Sequence, residues 1–226
     1  MKKALVIAAH PDDEVMGLGG TIAKLSSQGV EFHLLIVTDG SSSQYRDSDR
    51  LNAIIEAKKR ETKNCADLLG FKSIHYGNLP DMRLDVTPHV EINRVIENII
   101  DALQPDAVFT HFWGDVNLDH QNVFRSTLVA VRPVPGQVVR ELYCYRTPSS
   151  TEWMPNKPDT MFRPNYFVDI EQFAEQKYSA FACYETELRE YPHPRSVQSL
   201  REIDRATGVE VGLPSAEAFV MLRKLD

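Results

Sequence analysis

Five consecutive residues, His10-Pro11-Asp12-Asp13-Glu14, place one imidazole and three carboxylates directly after a short apolar run. Ionisable groups at the edge of a core cost free energy unless a metal ion or a reaction uses them. Pro11 fixes its own φ and stiffens the bend. His10 and Asp13 are three apart, so they can converge on one point while Asp12 faces elsewhere. A helix N-terminus accounts for the acids, because carboxylates in a first turn favour the helix dipole. It accounts for neither the histidine nor the proline. A second cluster, Asp115-Val116-Asn117-Leu118-Asp119-His120, has the same character. Alone it reads as an Asx-rich helix cap with a surface histidine. Together the clusters offer His10, Asp13 and His120, a set of two nitrogens and one oxygen. Three protein ligands leave open positions on a metal, as in catalytic zinc sites, whereas a closed structural site needs a fourth. Close to a helix N-terminus, His120 is favoured as neutral imidazole, the form a metal binds.

Other readings of these residues fit less well. Gly17-Leu18-Gly19-Gly20 resembles a dinucleotide loop, but Ile22 stands where GxGxxG needs its third glycine, and acids stand where pyrophosphate would bind. A phospho-acceptor receiver needs its acceptor Asp after the third strand, and Asp39 follows the second. A non-haem iron oxygenase uses two histidines and a carboxylate, usually on a β scaffold. Tyr191-Pro192-His193-Pro194-Arg195-Ser196 is a separate signal. It reads as a stiff surface turn or as a rigid loop that brings His193 and Arg195 to a substrate phosphate or carboxylate. Ser41 to Asp49, with Tyr45 and Arg46, is a candidate flap or a plain solvated loop. Trp153 reads as a packing anchor or a sugar-stacking ring.

The elements that must position these groups alternate. Ala4 to Ala9 is short and continuously apolar, the pattern of a strand buried on both faces. Val15, Leu18, Ile22 and Leu25 form a helical stripe that Gly29 stops. Phe32 to Val37 is a second strand. Leu51 to Leu69 is a long helix closed by Gly70, and Ser73 to Tyr76 a short strand. Thr87 is expected as N-cap with Pro88 at the first helical position, and that helix runs to Pro105. A strand at Ala107 to Phe112 and a helix from Asp119 to Val131 follow. Six of the 13 prolines fall between Pro133 and Pro164, so that stretch is expected to be mostly loop, with a strand at Leu142 to Arg146. Strands at Tyr166 to Ile170 and Ala218 to Leu222, and helices at Glu171 to Tyr184 and Ser196 to Ala206, complete the chain. The alternation predicts a Rossmann-like α/β fold, a mostly parallel sheet with helices on both faces. Sites in such sheets lie outside the carboxyl ends of the strands, where His10, Asp39 and His111 all fall.

A chain of 226 residues can bury about 70% of its surface and build a core without staples. No linker, repeat or low-complexity tract interrupts it, so one domain over 1–226 is expected. A net charge of −7 gives no electrostatic footprint for nucleic acid. No apolar run approaches a membrane span, and the apolar stretch before His10 is too short for a secretory leader. Cys65, Cys144 and Cys183 are odd in number and form no CxxC, which fits reduced thiols and a cytoplasmic location. The sequence leaves a homo-oligomer open.

Ala9-His10-Pro11-Asp12-Asp13-Glu14, then Gly17-Leu18-Gly19-Gly20, then Asp119-His120-x-x-Val123, resembles the LmbE-like, or PIG-L, deacetylase superfamily. The resemblance covers about residues 1–131 in register and is weaker beyond. It implies a zinc-dependent hydrolase that removes an N-acetyl group from a glucosamine-type amino sugar, releasing acetate and a free amine. It implies that His10, Asp13 and His120 hold Zn²⁺ and that Asp12 is the general base. Arg60 resembles the family's helix arginine near the substrate, and Asp81 its contact to sugar hydroxyls. Many members carry His-x-Asp-His where this chain has Asn117-Leu118-Asp119-His120. Asn117 can hold an oxyanion but cannot deliver a proton. The acid for the leaving amine is then Asp12 after it has taken a proton, His111 or His193; His111 and Arg195 also stand as substrate contacts. A non-catalytic metal- or sugar-binding protein on the same fold is the rival expectation, though such a protein has no need of Asp12.

Overall fold

A computed structural model describes residues 1–41 and 48–225, and most of the expected 41–49 flap, Tyr45 and Arg46 included, lies outside the described residues. The order is β1 (Lys3–Ala8), α1 (Asp13–Ser27), β2 (Glu31–Thr38), α2 (Ser48–Leu69), β3 (Ser73–Leu79), α3 (His89–Leu103), β4 (Ala107–His111), α4 (Leu118–Ala130) and β5 (Glu141–Tyr145). Then come β6 (Tyr166–Asp169), α5 (Ala174–Phe181), α6 (Val197–Val209) and β7 (Ala216–Lys224). The strands form one sheet ordered β3-β2-β1-β4-β5-β7-β6. The first five in that order are parallel, and β7 pairs antiparallel with both β5 and β6.

The continuous apolar run of β1 is explained by burial on both faces. Ala4, Val6 and Ala8 join a core with α1, α2, α5 and α6, while Leu5, Ile7 and Ala9 join a second core with α3 and α4. Strand order reverses between β1 and β4, so the loops after them diverge and leave a crevice at their carboxyl ends. His10 to Asp13 leave β1 there, and the loop carrying Asp115 to His120 leaves β4.

The glycine string of α1 serves packing. A Cβ on Gly17 would strike the Tyr145 ring, and one on Gly20 would sit 2.8 Å from Ile170. The helix is broken at Leu18 (φ −153°), and Glu217 of β7 accepts from the freed Gly20 and Thr21 amides at 2.9 and 2.6 Å. Three local expectations shift. Pro88, not Thr87, is the N-cap of α3, because the Thr87 hydroxyl donates instead to the Arg83 carbonyl. β3 runs on to Leu79, and the 171–184 helix is a 3₁₀ turn (Glu171–Phe173) followed by α5 alone. A short 3₁₀ turn at Thr151–Trp153 lies in the proline-rich stretch.

Candidate active site

His10, Asp13 and His120 meet at the crevice. His10 Nδ1 lies 3.4 Å from Asp13 Oδ2 and 3.3 Å from His120 Nε2, which is 3.5 Å from the same Asp13 oxygen. Zinc–ligand distances near 2.0–2.1 Å with tetrahedral angles demand donor separations of about 3.3–3.4 Å, so this triangle has the size of one tetrahedral face. The other ring nitrogens are committed. His10 Nε2 donates to Asp119 Oδ2 at 3.1 Å, and His120 Nδ1 faces Asp115 Oδ2 at 3.2 Å. A carboxylate only accepts, so each bond places the proton away from the triangle and leaves a lone pair facing in. Asp119 is fixed by the Met82 and Leu84 amides, and Asp115 by Ser150, Thr151 and the Asn117 amide. Asp13 takes the His10 amide at 2.8 Å on Oδ2, while its buried Oδ1 has no partner.

Electrostatics point the same way. Burial works against charge on His10, but the hydrogen bonds and charges of Asp119 and Asp13 lift it to about 10. Burial likewise opposes charge on His120, and Asp13 and Asp115 raise it to about 9. Burial alone would raise Asp13; the facing His120 and His111 overturn this and hold it well below the carboxylate range. The pocket therefore draws positive charge, yet protons on both inner nitrogens would oppose each other at 3.3 Å. One cation in the triangle removes that conflict, so the residues fit a divalent metal. His10 with Asp81 and Asp119 forms a second close set, but it uses the outer nitrogen of His10, and Asp119 already serves two amides.

Asp12 stands beside the triangle in a left-handed conformation (φ 100°), with both carboxylate oxygens buried and without hydrogen-bond partners. Burial raises its pKa well above the usual range, and Arg195 Nε, 3.8 Å away, pulls against this. His10, Asp12, Asp81, Met82, Asn117 and Arg195 line the cleft, closed on one side by Gly40, Lys58 and Glu187. Gly40 (φ +66°) packs so tightly on Pro11 that a Cβ there would lie 2.5 Å from its ring. Asn117 caps α4 by accepting from the Asp119 amide at 2.8 Å, which turns its NH₂ away from the helix, toward Met82 Sδ at 3.6 Å.

Three expected contacts are placed differently. Arg60 is exposed on α2 and outside the cleft lining. Lys58 faces the cleft instead, and two residues along a helix turn about 200°. Lys58 Nζ donates to the Gly40 carbonyl at 2.6 Å and pairs with Glu187 at 2.7 Å; Glu187 in turn holds Arg195 at 2.8 Å. His111 is fully buried behind the triangle and stacked on His120 with centroids 4.0 Å apart, so no substrate reaches it. It accepts the Ala9 amide at Nε2 (2.9 Å) and faces Thr147 at Nδ1 (3.0 Å), an arrangement that needs neutral imidazole. Burial, reinforced by His120, lowers its pKa to about 4, which keeps the ring neutral. His193 spends Nδ1 on the Arg195 amide and is absent from the cleft lining. Trp153 is exposed and also outside that lining. Of the groups the sequence did not single out, Asp115 and Asp119 lay inside a cluster already marked by its acids. Lys58 and Glu187, 129 residues apart, carried no local signal.

The chain is similar to proteins already described. The family described as PIG-L, GlcNAc-PI de-N-acetylase, matches residues 5–131. A diacetylchitobiose deacetylase of Thermococcus kodakarensis is 29% identical over 84% of this chain and 72% of its own length. The structure of N,N'-diacetylchitobiose deacetylase from Pyrococcus horikoshii superposes with a TM-score of 0.79 and 26% identity, covering 98% of this chain and 84% of that one. A 4-oxalmesaconate hydratase of Pseudomonas putida is 27% identical over 80% of this chain and 72% of its length. With more than half of its residues matched to the family and its two clusters forming one site, the chain belongs to the PIG-L family of deacetylase-like enzymes.

Proposed function

We propose that the protein is a zinc-dependent hydrolase that removes the acetyl group from an N-acetylated amino sugar of the glucosamine type. The observation that carries this reading is the buried Asp12 carboxylate, with no hydrogen bond on either oxygen, beside a metal-sized donor triangle. A site that only binds metal or sugar has no use for it. The diacetylchitobiose deacetylases among its relatives support the substrate class.

His10, Asp13 and His120 hold the metal. When bound, zinc supplies a Lewis acid and a water whose pKa lies near 7. Asp12 accepts the proton of the attacking water. Burial makes its carboxylate more basic than usual, which suits a base at neutral pH. Asn117 Nδ2 donates to the oxyanion of the tetrahedral intermediate. Asp12 then returns its proton to the leaving nitrogen, since His111 is neutral and buried and His193 stands outside the cleft lining. Arg195, held by Glu187 and Ser149, contacts the sugar or a substituent on it, and Asp81 its hydroxyls. His193 acts through Arg195, whose backbone it fixes.

The test is acetyl loss, read by mass spectrometry, across N-acetylglucosamine, N,N'-diacetylchitobiose and N-acetyl sugars bearing phosphate or carboxylate. The zinc-loaded protein should release acetate, and chelation should abolish this until zinc returns. Undiminished activity in metal-free protein, or water addition to an unsaturated carboxylate with no deacetylation on any sugar, would overturn the reading.

A further inference from the structure

The third carboxylate of the first cluster has no part in the reaction above, yet Glu14 is fully buried. Its Oε1 accepts the Tyr184 hydroxyl at 2.5 Å and faces the Cys65 thiol at 3.6 Å. Its Oε2 accepts the backbone amide of Asp12 at 3.2 Å. That amide belongs to a residue with φ 100° and ψ −24°, a region that residues with a Cβ rarely occupy. Such a conformation persists only where its surroundings hold it. The Asp12 side chain has no hydrogen bond on either oxygen, and its ion pair with Arg195 Nε is long at 3.8 Å. The backbone of the turn therefore carries most of the hold on its direction. The Asp12 carbonyl takes the Met16 amide at 3.1 Å, an ordinary first bond of α1, and the Asp12 amide is left to Glu14.

An apolar residue at position 14 would pack in this place without bringing a carboxylate out of water. It would also leave the Asp12 amide without an acceptor in the interior and take the carboxylate partner from the Tyr184 hydroxyl. The two side-chain donors to Glu14 come from outside the α1 turn: Cys65 from α2, and Tyr184 from the segment after α5. The carboxylate thus ties the catalytic turn to two distant parts of the chain.

We propose that Glu14 is a positioning residue for Asp12. Its buried carboxylate, fixed by Tyr184 and Cys65, holds the Asp12 amide and with it the left-handed turn that aims the Asp12 side chain into the cleft. The inference rests on the reading of Asp12 as the base.

The experiment is a double-mutant cycle with Glu14→Ala, Glu14→Gln, Asp12→Asn and the Asp12→Asn/Glu14→Ala pair. It reads zinc content, deuterium exchange at the Asp12 amide, and kcat and KM on N,N'-diacetylchitobiose. Glu14→Ala should keep its zinc and its KM, lose roughly 10- to 100-fold in kcat, and exchange the Asp12 amide about 10-fold faster. Glu14→Gln keeps an acceptor and should restore kcat to within about 3-fold. In the Asp12→Asn background Glu14→Ala should cost nothing more, because a residue acting through Asp12 has nothing left to position. Effects that multiply, parental exchange at the Asp12 amide, or loss of zinc in Glu14→Ala would each overturn the proposal. Parental kcat in Asp12→Asn would instead refute the base assignment, and the amide exchange in Glu14→Ala would still decide the role of Glu14. Should Glu14→Ala not fold, Tyr184→Phe removes one hydroxyl and should show a smaller loss of the same kind; parental exchange and kcat there overturn the proposal.

Discussion

Asp12 and Asp13 are neighbours with opposite surroundings. Asp13 is ringed by His10, His111 and His120, whereas Asp12 meets one guanidinium at 3.8 Å. Asp12→Asn should therefore keep zinc and fold while losing on the order of 10²–10⁴ in kcat, the scale of a general base. Asp13→Asn should lose zinc, and metal analysis of the two variants checks the division. In the proposed reading Asn117 has two jobs, the cap of α4 and a donor to the oxyanion. Asn117→Ser keeps a cap oxygen for α4 but removes the amide donor. Its Tm should match the parent while kcat falls roughly 10²- to 10³-fold, the cost of a lost oxyanion donor. Residue-level legibility followed sequence distance. His10 and Asp13 sit in one turn, and His120 announces itself through Asp115 and Asp119. A histidine at a strand end reads as reachable from the cleft, and nothing local reveals that Ala9 and Thr147 enclose His111.

At the level of elements, the first five strands and four helices were legible because burial on both sheet faces writes long apolar runs and helical stripes. The C-terminal third was harder. There β6 and β7 join antiparallel, and Lys177, Asp204 and Glu217 form a buried ion cluster that hydrophobic patterning cannot show. Lys177 Nζ lies 2.9 Å from Asp204 and 2.8 Å from Glu217, with the lysine 1% exposed. It links α5, α6 and β7, and Glu217 caps the second half of α1. Lys177→Met would leave two carboxylates buried without their cation. Breaking such a cluster costs about 3–5 kcal/mol. At about 2–4 °C per kcal/mol for a chain of this size, Tm should fall by roughly 10 °C. The cluster does not line the cleft, so KM and zinc content should hold; a Tm within about 2 °C of the parent would show that the cluster adds little.

Over the whole molecule, the site makes stability depend on pH in a way that reports whether the metal is bound. In the metal-free protein His10 and His120 are raised from 6.5 to about 10 and about 9. Between pH 6.5 and those values the folded state binds protons that the unfolded state has released, so stability falls as pH rises through that window. A metal takes the place of those protons, and the alkaline fall should disappear with zinc bound. His111 has the opposite sign, its pKa being lowered from 6.5 to about 4. From pH 4 to 6.5 the unfolded state binds the extra proton, so stability rises with pH. Over the difference of 6.5 − 4 the rise is at most about 3 kcal/mol. Glu14 works against it there: burial raises its pKa from 4.5 to about 7, so its contribution falls as pH rises from 4.5 to 7. Asp12 and Asp204, raised by burial, act in the same direction as Glu14, so the acid limb of the parent sums several groups, and His111→Gln should isolate the share of His111. The variant keeps an acceptor for the Ala9 amide but cannot titrate, so between pH 4 and 6.5 its stability should rise less, or fall more, than the parent's. A divalent cation beside His111 only lowers its pKa further, so this contrast should persist with zinc. Urea midpoints from pH 4 to 9, with zinc and with chelator, would measure both limbs. Parallel acid limbs for parent and His111→Gln would mean that His111 does not remain neutral in the fold. An alkaline fall of equal size with and without zinc would mean that the metal does not replace the protons of His10 and His120.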